Sequence, residues 1–386
     1  MSYNNQHIIV FISVFFLFAC RAKAQQELPT DKKATKETVS LYNNLKKLSS
    51  KGFMFGHQDD LAYGVNWKYD ASTGSAGRSD IKDVAGDYPA VYGWELGGLE
   101  LGNTKNLDDV PFDQMQQFIK DGYARGGVIT VSWHMYSPFG KGISAWDTTH
   151  GTVASIIPGG VNHELYKQWL DKVASFFGAL KGSKGEMIPV LFRPFHEHSG
   201  SWFWWGRNNC SVSDYKALWR FTFDYLHIQK NLHNILWVYN TGGDFKTKEE
   251  FLERYPGDDV VDMVSFDTYQ GGDPKKSEEF IKNTNSRLTM VGQIAAEKNK
   301  LFALAETGFE SVPNEKWWTE TLLKAIGENK ISYVLVWRNH GYQESTKRMH
   351  YYAPFKGQIS ANDFVEFYKL NSTLFETDVK NEKLYR

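Results

Sequence analysis

This 386-residue sequence has little cysteine and almost no net charge. Of its 2 Cys, only Cys210 lies beyond residue 20, so a chain cleaved near that point has no partner for an internal disulfide. The 44 basic and 45 acidic residues leave a formal net charge of −1. This balance gives no electrostatic reason to expect nucleic acid or an acidic membrane surface as a partner.

Long apolar runs are also scarce, and the one near the N-terminus, residues 8–19 (IIVFISVFFLFA), is too short to span a bilayer comfortably. It is typical of a secretion signal, with a helix of the folded domain as the alternative. LFAC, ending at Cys20, resembles a bacterial lipoprotein box, whereas AKA at 22–24 resembles an ordinary cleavage site. We favour the lipoprotein interpretation. Both cleavage sites predict a protein outside the cytoplasm, in the periplasm or at the outer membrane, with a lipid anchor only if Cys20 is acylated.

The remaining chain has no linker, charge block or low-complexity stretch after about residue 38. We therefore predict a signal segment over 1–24, a polar tether over 25–38 (QQELPTDKKATKET) and one domain over 39–386.

Short, continuously apolar runs recur along this domain and alternate with segments of helical periodicity. Continuous apolarity indicates buried parallel strands, and strands alternating with helices predict a (β/α)8 barrel. A doubly wound sheet is the alternative, but it normally carries G-x-G-x-x-G after its first strand, and GHQDDLAYG lacks that pattern. The predicted strands are 53–57, 90–96, 127–134, 187–197, 234–240, 261–269, 301–308 and 333–339.

Nearly every predicted strand ends on a polar or aromatic residue, and in a barrel these ends meet at the C-terminal rim where active sites are built. The rim acids are Glu95, Glu197, Asp267 and Glu306. Each could instead be a buried acid satisfied by a neighbour, which is the interpretation we favour for Glu95 and Asp267. The other rim residues are His57, His134, Asn240, Tyr269, Trp337 and Arg338.

Two acids facing each other are the minimum requirement for cleaving a glycosidic bond. Sugars stack on aromatic faces, and 15% of this sequence is aromatic, with 13 Trp. The excess of rings and the convergent acids therefore indicate one substrate class, carbohydrate.

The stretch RPFHEHSGSWFWWG, with Glu197 at the end of the fourth strand, resembles the acid/base region of glycoside hydrolase family 26, the β-mannanase family. LAETG at 304–308 resembles the family's nucleophile strand. GHQDD, VSWH, SFDTY, VLVWRN and HYYAPFKGQ resemble further family motifs and occur in order along the domain. Membership of this family implies a retaining (β/α)8 hydrolase that cleaves β-1,4-mannosidic bonds.

The resemblance implies that Glu306 is the nucleophile and Glu197 the acid/base. It also implies that His134 and His196 contact the sugar beside the scissile bond, and that Tyr269 orients the nucleophile. Trp337 would form the floor of that sugar site, with Trp202 on the leaving-group side.

For several residues the sequence allows two roles. Arg193 and Arg338 either contact substrate or pair with rim carboxylates. Trp146 is a distal sugar platform or a loop anchor. Phe203, Trp204 and Trp205 are part of the platform or of the loop core.

We expect no cofactor and no metal, a mannan polysaccharide or oligosaccharide as substrate, and a monomer. The alternatives are an exo-acting mannobiohydrolase, action on xylan or mixed-linkage glucan, a non-catalytic glycan-binding lipoprotein, and a metal-dependent barrel hydrolase. The last of these would use His57, His134, His196 and His198, but the sequence contains no H-E-x-x-H.

Overall fold

The eight predicted strands are all present in the computed structural model, which describes residues 1, 27–70, 72, 76–140 and 144–386. The strands are parallel and follow one another around a barrel, and pairs such as Gly56 with Leu335 join the last strand to the first. The strands are β1 (Phe53–Gln58), β2 (Val91–Glu95), β3 (Val128–Trp133), β4 (Val190–Pro194), β5 (Ile235–Gly242), β6 (Met263–Tyr269), β7 (Leu301–Gly308) and β8 (Tyr333–Val336).

Helices connect the strands and cover the outside of the barrel. Gly126, in a left-handed conformation (φ 106°), ends α3 directly before β3, as glycine often does at the C-terminal end of a helix. The helices are α1 (Lys36–Leu48), α2 (Asp80–Ala85), α3 (Phe112–Arg125), α4 (Thr152–Ile156), α5 (His163–Gly178), α6 (Val212–Asp224), α7 (Lys248–Leu252), α8 (Ser277–Lys298), α9 (Leu323–Ile326), α10 (Ala361–Tyr368) and α11 (Glu376–Glu382).

Two predicted helices contain wider π-helical turns. The first is Tyr225–Gln229, which continues α6, and the second is Trp317–Leu322, which precedes α9. Predicted strands 187–197 and 333–339 are shorter than expected, because the chain turns after Pro194 and after Val336. The side chains that follow those two residues therefore lie on rim loops.

The core has two layers because successive strand residues point to opposite faces of the sheet. Met54 points into the barrel with residues such as Leu191 and Leu335, and α1 closes the N-terminal end of that interior. Phe55, the next residue along, points outward and packs against Phe364 and other rings of the helical layer.

The predicted tether, 25–38, differs from the structure over its described part. Thr30 donates to Asp262 through its backbone N–H (2.7 Å), and the Thr35 N–H donates to the His233 carbonyl (2.8 Å). Helix α1 already begins at Lys36. Polar composition suggested a solvated segment, but the backbone of Thr30 and Thr35 is hydrogen-bonded to the barrel instead.

The apolar run 8–19 and Cys20 lie outside the described residues. Within the described ranges, no helix combines the length and apolarity needed to cross a bilayer.

Candidate active site

Glu306 lies near the C-terminal end of β7, beside Asp267 of β6. The pairing of these strands changes register there, since Phe266 pairs with Leu304 but Asp267 pairs with Glu306. Ala305 is thus an extra residue on β7, a bulge of the kind that re-aims side chains beside active sites. Both acids are buried.

Two donors hold the carboxylate of Glu306. The guanidinium of Arg193, on β4, donates one N–H to Glu306 Oε1 and another to Asp267 Oδ2 (2.8 Å). The Tyr269 hydroxyl donates to Oε2 (2.9 Å). Burial and the nearby charge of Glu306 raise the pKa of Tyr269 well above its ordinary value, so its hydroxyl keeps its proton. A carboxyl group with a donor on each oxygen is held in one orientation.

Glu95 and Asp267 accept hydrogen bonds from neighbours, as we expected for them, although Asp267 does so only through Oδ2, and its buried Oδ1 has no hydrogen-bond partner among the described residues. Besides Arg193, Asp267 accepts from Asn240 (2.7 Å). Glu95 accepts from Ser132 (2.6 Å) and from His134 Nδ1 (2.8 Å). Both acids therefore support the site by orienting the side chains that border it.

Glu197 lies past β4 on a turn in which Phe195 (φ 50°) and Glu197 itself (φ 53°) are left-handed. Such a conformation is uncommon for residues other than glycine, and it persists where the surroundings enforce it. The Glu197 N–H donates to the Asn240 carbonyl (3.0 Å), which fixes the turn on β5. The Trp202 indole donates to Glu197 Oε2 (2.8 Å). Glu197 is therefore held both through its backbone and through its carboxyl group.

Of the four consecutive aromatic residues that follow Glu197, at positions 202–205, three are buried in the loop and one is exposed. Trp204 and Trp205 are fully buried and donate to the backbone carbonyls of Met135 and His196, respectively. Phe203 is also buried and stacks on Trp205 at 4.6 Å. These three belong to the loop core. Trp202, with 42% of its surface exposed, remains available to a ligand.

The two glutamates face each other across a short gap. One carboxylate oxygen each of Glu197, Asp267 and Glu306 lies within 4.8 Å of the other two. Burial, and then the charge of Glu306, raises the pKa of Glu197 to about 7. A large fraction of Glu197 therefore keeps its proton near neutral pH, close to the carboxyl group of Glu306.

His134 and His196 form a pair behind this gap, with their Nε2 atoms 3.0 Å apart. Burial opposes a charge on His134, but Glu95 outweighs it and raises the pKa of His134. Burial and the neighbouring His134 lower the pKa of His196 well below its ordinary value. His196 has no exposed surface, which differs from the predicted contact with sugar. In this structure it orients His134, which borders the cleft.

Trp337 and Trp146 lie beside His134, whereas Arg338 pairs with an acid of a rim loop. The ring of Trp337 is 6.2 Å from that of His134, and Trp146 stacks on His134 at 5.2 Å with half its surface exposed. This supports the platform interpretation of Trp146. Arg338 pairs with Asp108 (2.5 Å), so one of its two interpretations, a rim ion pair, is present.

Sequence reasoning missed Asp108 and the bulge at Ala305. Asp108 lies in the long loop after β2, where no periodicity marks it. Conversely His57, predicted to end the first strand, lies one residue before the end of β1 and is buried. Its Nδ1 contacts Asp60 (2.7 Å), so it does not join the site.

The metal-dependent alternative gains no support from the rim. The carboxylates of Asp267 and Glu306 are bridged by the guanidinium of Arg193, which occupies the place a cation would take between them. The four histidines named for that alternative are also divided. His198 lies between the rings of Tyr215 and Tyr239, away from the His134–His196 pair.

A (β/α)8 barrel with two carboxyl groups this close at its C-terminal rim defines a retaining glycoside hydrolase, since inverting enzymes need a separation of about 6.5–9.5 Å to admit water. The family model for glycosyl hydrolase family 26 matches residues 30–356. The chain belongs to this family.

Individual relatives agree with this assignment. A mannan endo-1,4-β-mannosidase of Bifidobacterium adolescentis is 33% identical over 89% of this chain, which spans only 35% of that larger protein. A mannan endo-1,4-β-mannosidase of Bacillus subtilis is 27% identical over 86% of this chain and 88% of its own length. The structure of a family 26 β-mannanase from Bacteroides ovatus is 46% identical, with a TM-score of 0.85 over 91% of this chain and 98% of that one.

The raised pKa of Glu197 can be separated into its causes by two substitutions. Glu306→Gln removes the neighbouring charge, so we expect the pKa of Glu197 to fall from about 7. Trp202→Phe removes a donor that favours the charged form, so the pKa should rise. Carbon-13 NMR titration of the Glu197 carboxyl measures both. An unchanged value in Glu306→Gln would show that the two groups do not interact.

Proposed function

We propose that this chain is a retaining endo-acting hydrolase of β-1,4-mannosidic bonds in mannan, glucomannan or galactomannan. Glu306 serves as nucleophile and Glu197 as acid/base. The observation that carries these roles is the pair of carboxyl groups within 4.8 Å of each other, one held by two donors and the other with a raised pKa. The names of the relatives support mannan as the substrate.

In the first step, an oxygen of Glu306 attacks the anomeric carbon while Glu197 gives its proton to the departing glycosidic oxygen. The C–O bond breaks as the glycosyl–Glu306 ester forms. In the second step, Glu197, now a carboxylate, takes a proton from water, and that oxygen displaces Glu306 from the anomeric carbon. Two inversions leave the product with the β configuration of the substrate.

The donors around Glu306 and the raised pKa of Glu197 favour different steps of this reaction. Arg193 and Tyr269 stabilise the free carboxylate, so they assist its departure in the second step. The raised pKa of Glu197 favours the proton needed in the first step, and loss of the Glu306 charge on ester formation lowers that pKa. Glu197 then becomes a better base when water must be activated.

The sugar contacts follow from position and exposure. Trp202 bonds to the acid/base and is exposed, which suits the leaving-group side. His134 and Trp337 border the sugar to be cleaved, and Trp146 extends the aromatic surface beside them. His196 contributes by holding His134, and the ion pair of Arg338 with Asp108 orders the rim loop after β2.

Replacing each glutamate separates their roles when the leaving group is a phenolate of low pKa, which hardly needs protonation. We expect Glu197→Ala to form the covalent intermediate rapidly from a dinitrophenyl mannobioside and then to stall. KM should fall as the ester accumulates. Azide should restore turnover and give a β-glycosyl azide, detected by proton NMR. The measurement is the pre-steady-state burst of dinitrophenolate.

Glu306→Ala is the matched variant, and it should be inactive on both the aryl glycoside and the polysaccharide. With azide it could yield only an α-product, since no ester precedes the attack. A burst in Glu306→Ala and none in Glu197→Ala would reverse the assignment. A loss below about tenfold in both, roughly 1.4 kcal/mol of barrier, would exclude the two-carboxylate mechanism.

Endo action predicts an early fall in the viscosity of galactomannan relative to the reducing ends released, because internal cleavage shortens chains quickly. Mannohexaose should give several products at once. Release of mannobiose alone, with viscosity maintained, would instead identify the exo-acting mannobiohydrolase. Parallel assays on xylan and mixed-linkage glucan test the other family specificities, and a chain that binds these glycans without cleaving them would be a binding protein.

We further propose that the protein is exported, is anchored through an acylated Cys20 and acts as a monomer. The apolar run ending in LFAC supports export and the anchor. Light scattering would measure the mass and so test whether the protein is a monomer.

Expression in a bacterial host with labelled palmitate tests the anchor. We expect label in the wild-type protein, found with the membrane fraction, and none in Cys20→Ser. An unlabelled wild-type protein whose sequence begins after residue 24 would show that the AKA site is used instead.

A further inference from the structure

A second group of ligand-type side chains lies at the opposite end of the barrel from the two glutamates. It consists of Asp31 in the N-terminal segment, His227 in the π-helical turn after α6, and His233 just before β5. The strands are parallel, so the start of β5 is at the N-terminal end of the barrel. No local sequence pattern predicts this group, because Asp31 is about two hundred positions away from both histidines.

The three side chains converge on one oxygen. Asp31 Oδ2 lies 3.1 Å from His227 Nδ1 and 2.8 Å from His233 Nδ1. One donor atom from each residue lies within 4.8 Å of the other two. A tetrahedral zinc ion, with bonds of about 2.0–2.1 Å, needs donor separations of roughly 3.3 Å. The two distances from Asp31 to the histidines would therefore widen by only about 0.2 and 0.5 Å to admit a common ion.

The rings of both histidines have further polar partners. His233 Nε2 lies 3.0 Å from Asn231 Oδ1, and the ring of His227 also hydrogen bonds the backbone of Leu232. Both rings direct Nδ1 at Asp31 Oδ2, so the three donor atoms of the cluster face one another.

Oxygen partners on the outer ring nitrogens are the arrangement that orients histidine ligands in metal sites. The turn that carries His227 supports this interpretation, because π-helical turns insert an extra residue into a helix and are frequent at functional sites. Asp31 is buried, whereas each histidine side chain is about 15% exposed, so water can reach a fourth position.

We propose that Asp31, His227 and His233 form a binding site for a divalent transition-metal ion, with zinc as the best match to two imidazoles and one carboxylate. The ion joins the N-terminal segment to the turn between α6 and β5. Its role is structural, since the site lies away from the catalytic rim. Lys33, whose N–H donates to Asp31 Oδ1 (2.6 Å), brings a side-chain charge that weakens the affinity without occupying the site.

The test uses the purified chain without a polyhistidine tag, treated with chelator and then titrated with Zn²⁺ by calorimetry at pH 7.5. We expect one ion per chain and a melting temperature that rises with zinc concentration, because the ion binds only the folded state. Co²⁺ should give the visible absorption of a four-coordinate site. Activity on mannan should not change on addition of zinc.

Four variants assign the ligands. His227→Ala and His233→Ala should each abolish the rise in melting temperature and the cobalt spectrum. Asn231→Gly keeps the left-handed backbone (φ 54°) but removes the acceptor for His233, so zinc should bind about 10–100-fold more weakly. Asp31→Asn should lose zinc yet stay folded, because the backbone bonds of Thr30 and Thr35 remain.

Two results would overturn the proposal. One is the absence of zinc binding at 100-fold molar excess, with a melting temperature that falls as pH rises from 5 to 8. This would show that the cluster is held by protonated histidines instead. The other is zinc binding that persists in the double variant His227→Ala/His233→Ala, which would place the ion elsewhere on the chain.

Discussion

The guanidinium of Arg193 is the group around which the catalytic rim is organised. It is buried among three carboxyl groups, two of which it contacts directly, and its own pKa is raised by Asp267 and Glu306 despite the opposing effect of burial. Burial and the charge of Glu306 raise the pKa of Asp267 well above its ordinary value, and Arg193 is the group that most opposes them. Without Arg193, Glu306 would also lose the donor to its Oε1, which is one of the two contacts that orient this carboxyl group.

Burial and the charge of Glu306 raise the pKa of the third carboxyl group, Glu197, and the positive charge of Arg193 only partly opposes them. The left-handed turn places Glu197 close enough to Glu306 to experience that charge, and buried Trp204 and Trp205 support the loop from beneath. The turn that positions Glu197 therefore also determines its pKa.

The sequence predicted a large part of this protein because its signals are local. Eight continuous apolar runs between amphipathic segments can form little other than a closed parallel barrel, and strand ends in such a barrel meet at one rim. Glu197, Glu306, Tyr269 and His134 were therefore identified before any distance was known, helped by the resemblance to family 26. Asp267 and Glu95 were also expected to pair with neighbours, and Arg193 and His134 are those neighbours.

Only the tertiary structure decided which side chains meet across separate loops and which are buried. It placed His196 behind His134, assigned Arg193 to two carboxylates and Arg338 to Asp108, and showed that residues 27–38 bond to the barrel. It also brought Asp31 to two histidines at the far end. Local composition fixes periodicity and strand ends, but burial and pairing depend on contacts between distant segments, which a single sequence does not encode in any local pattern.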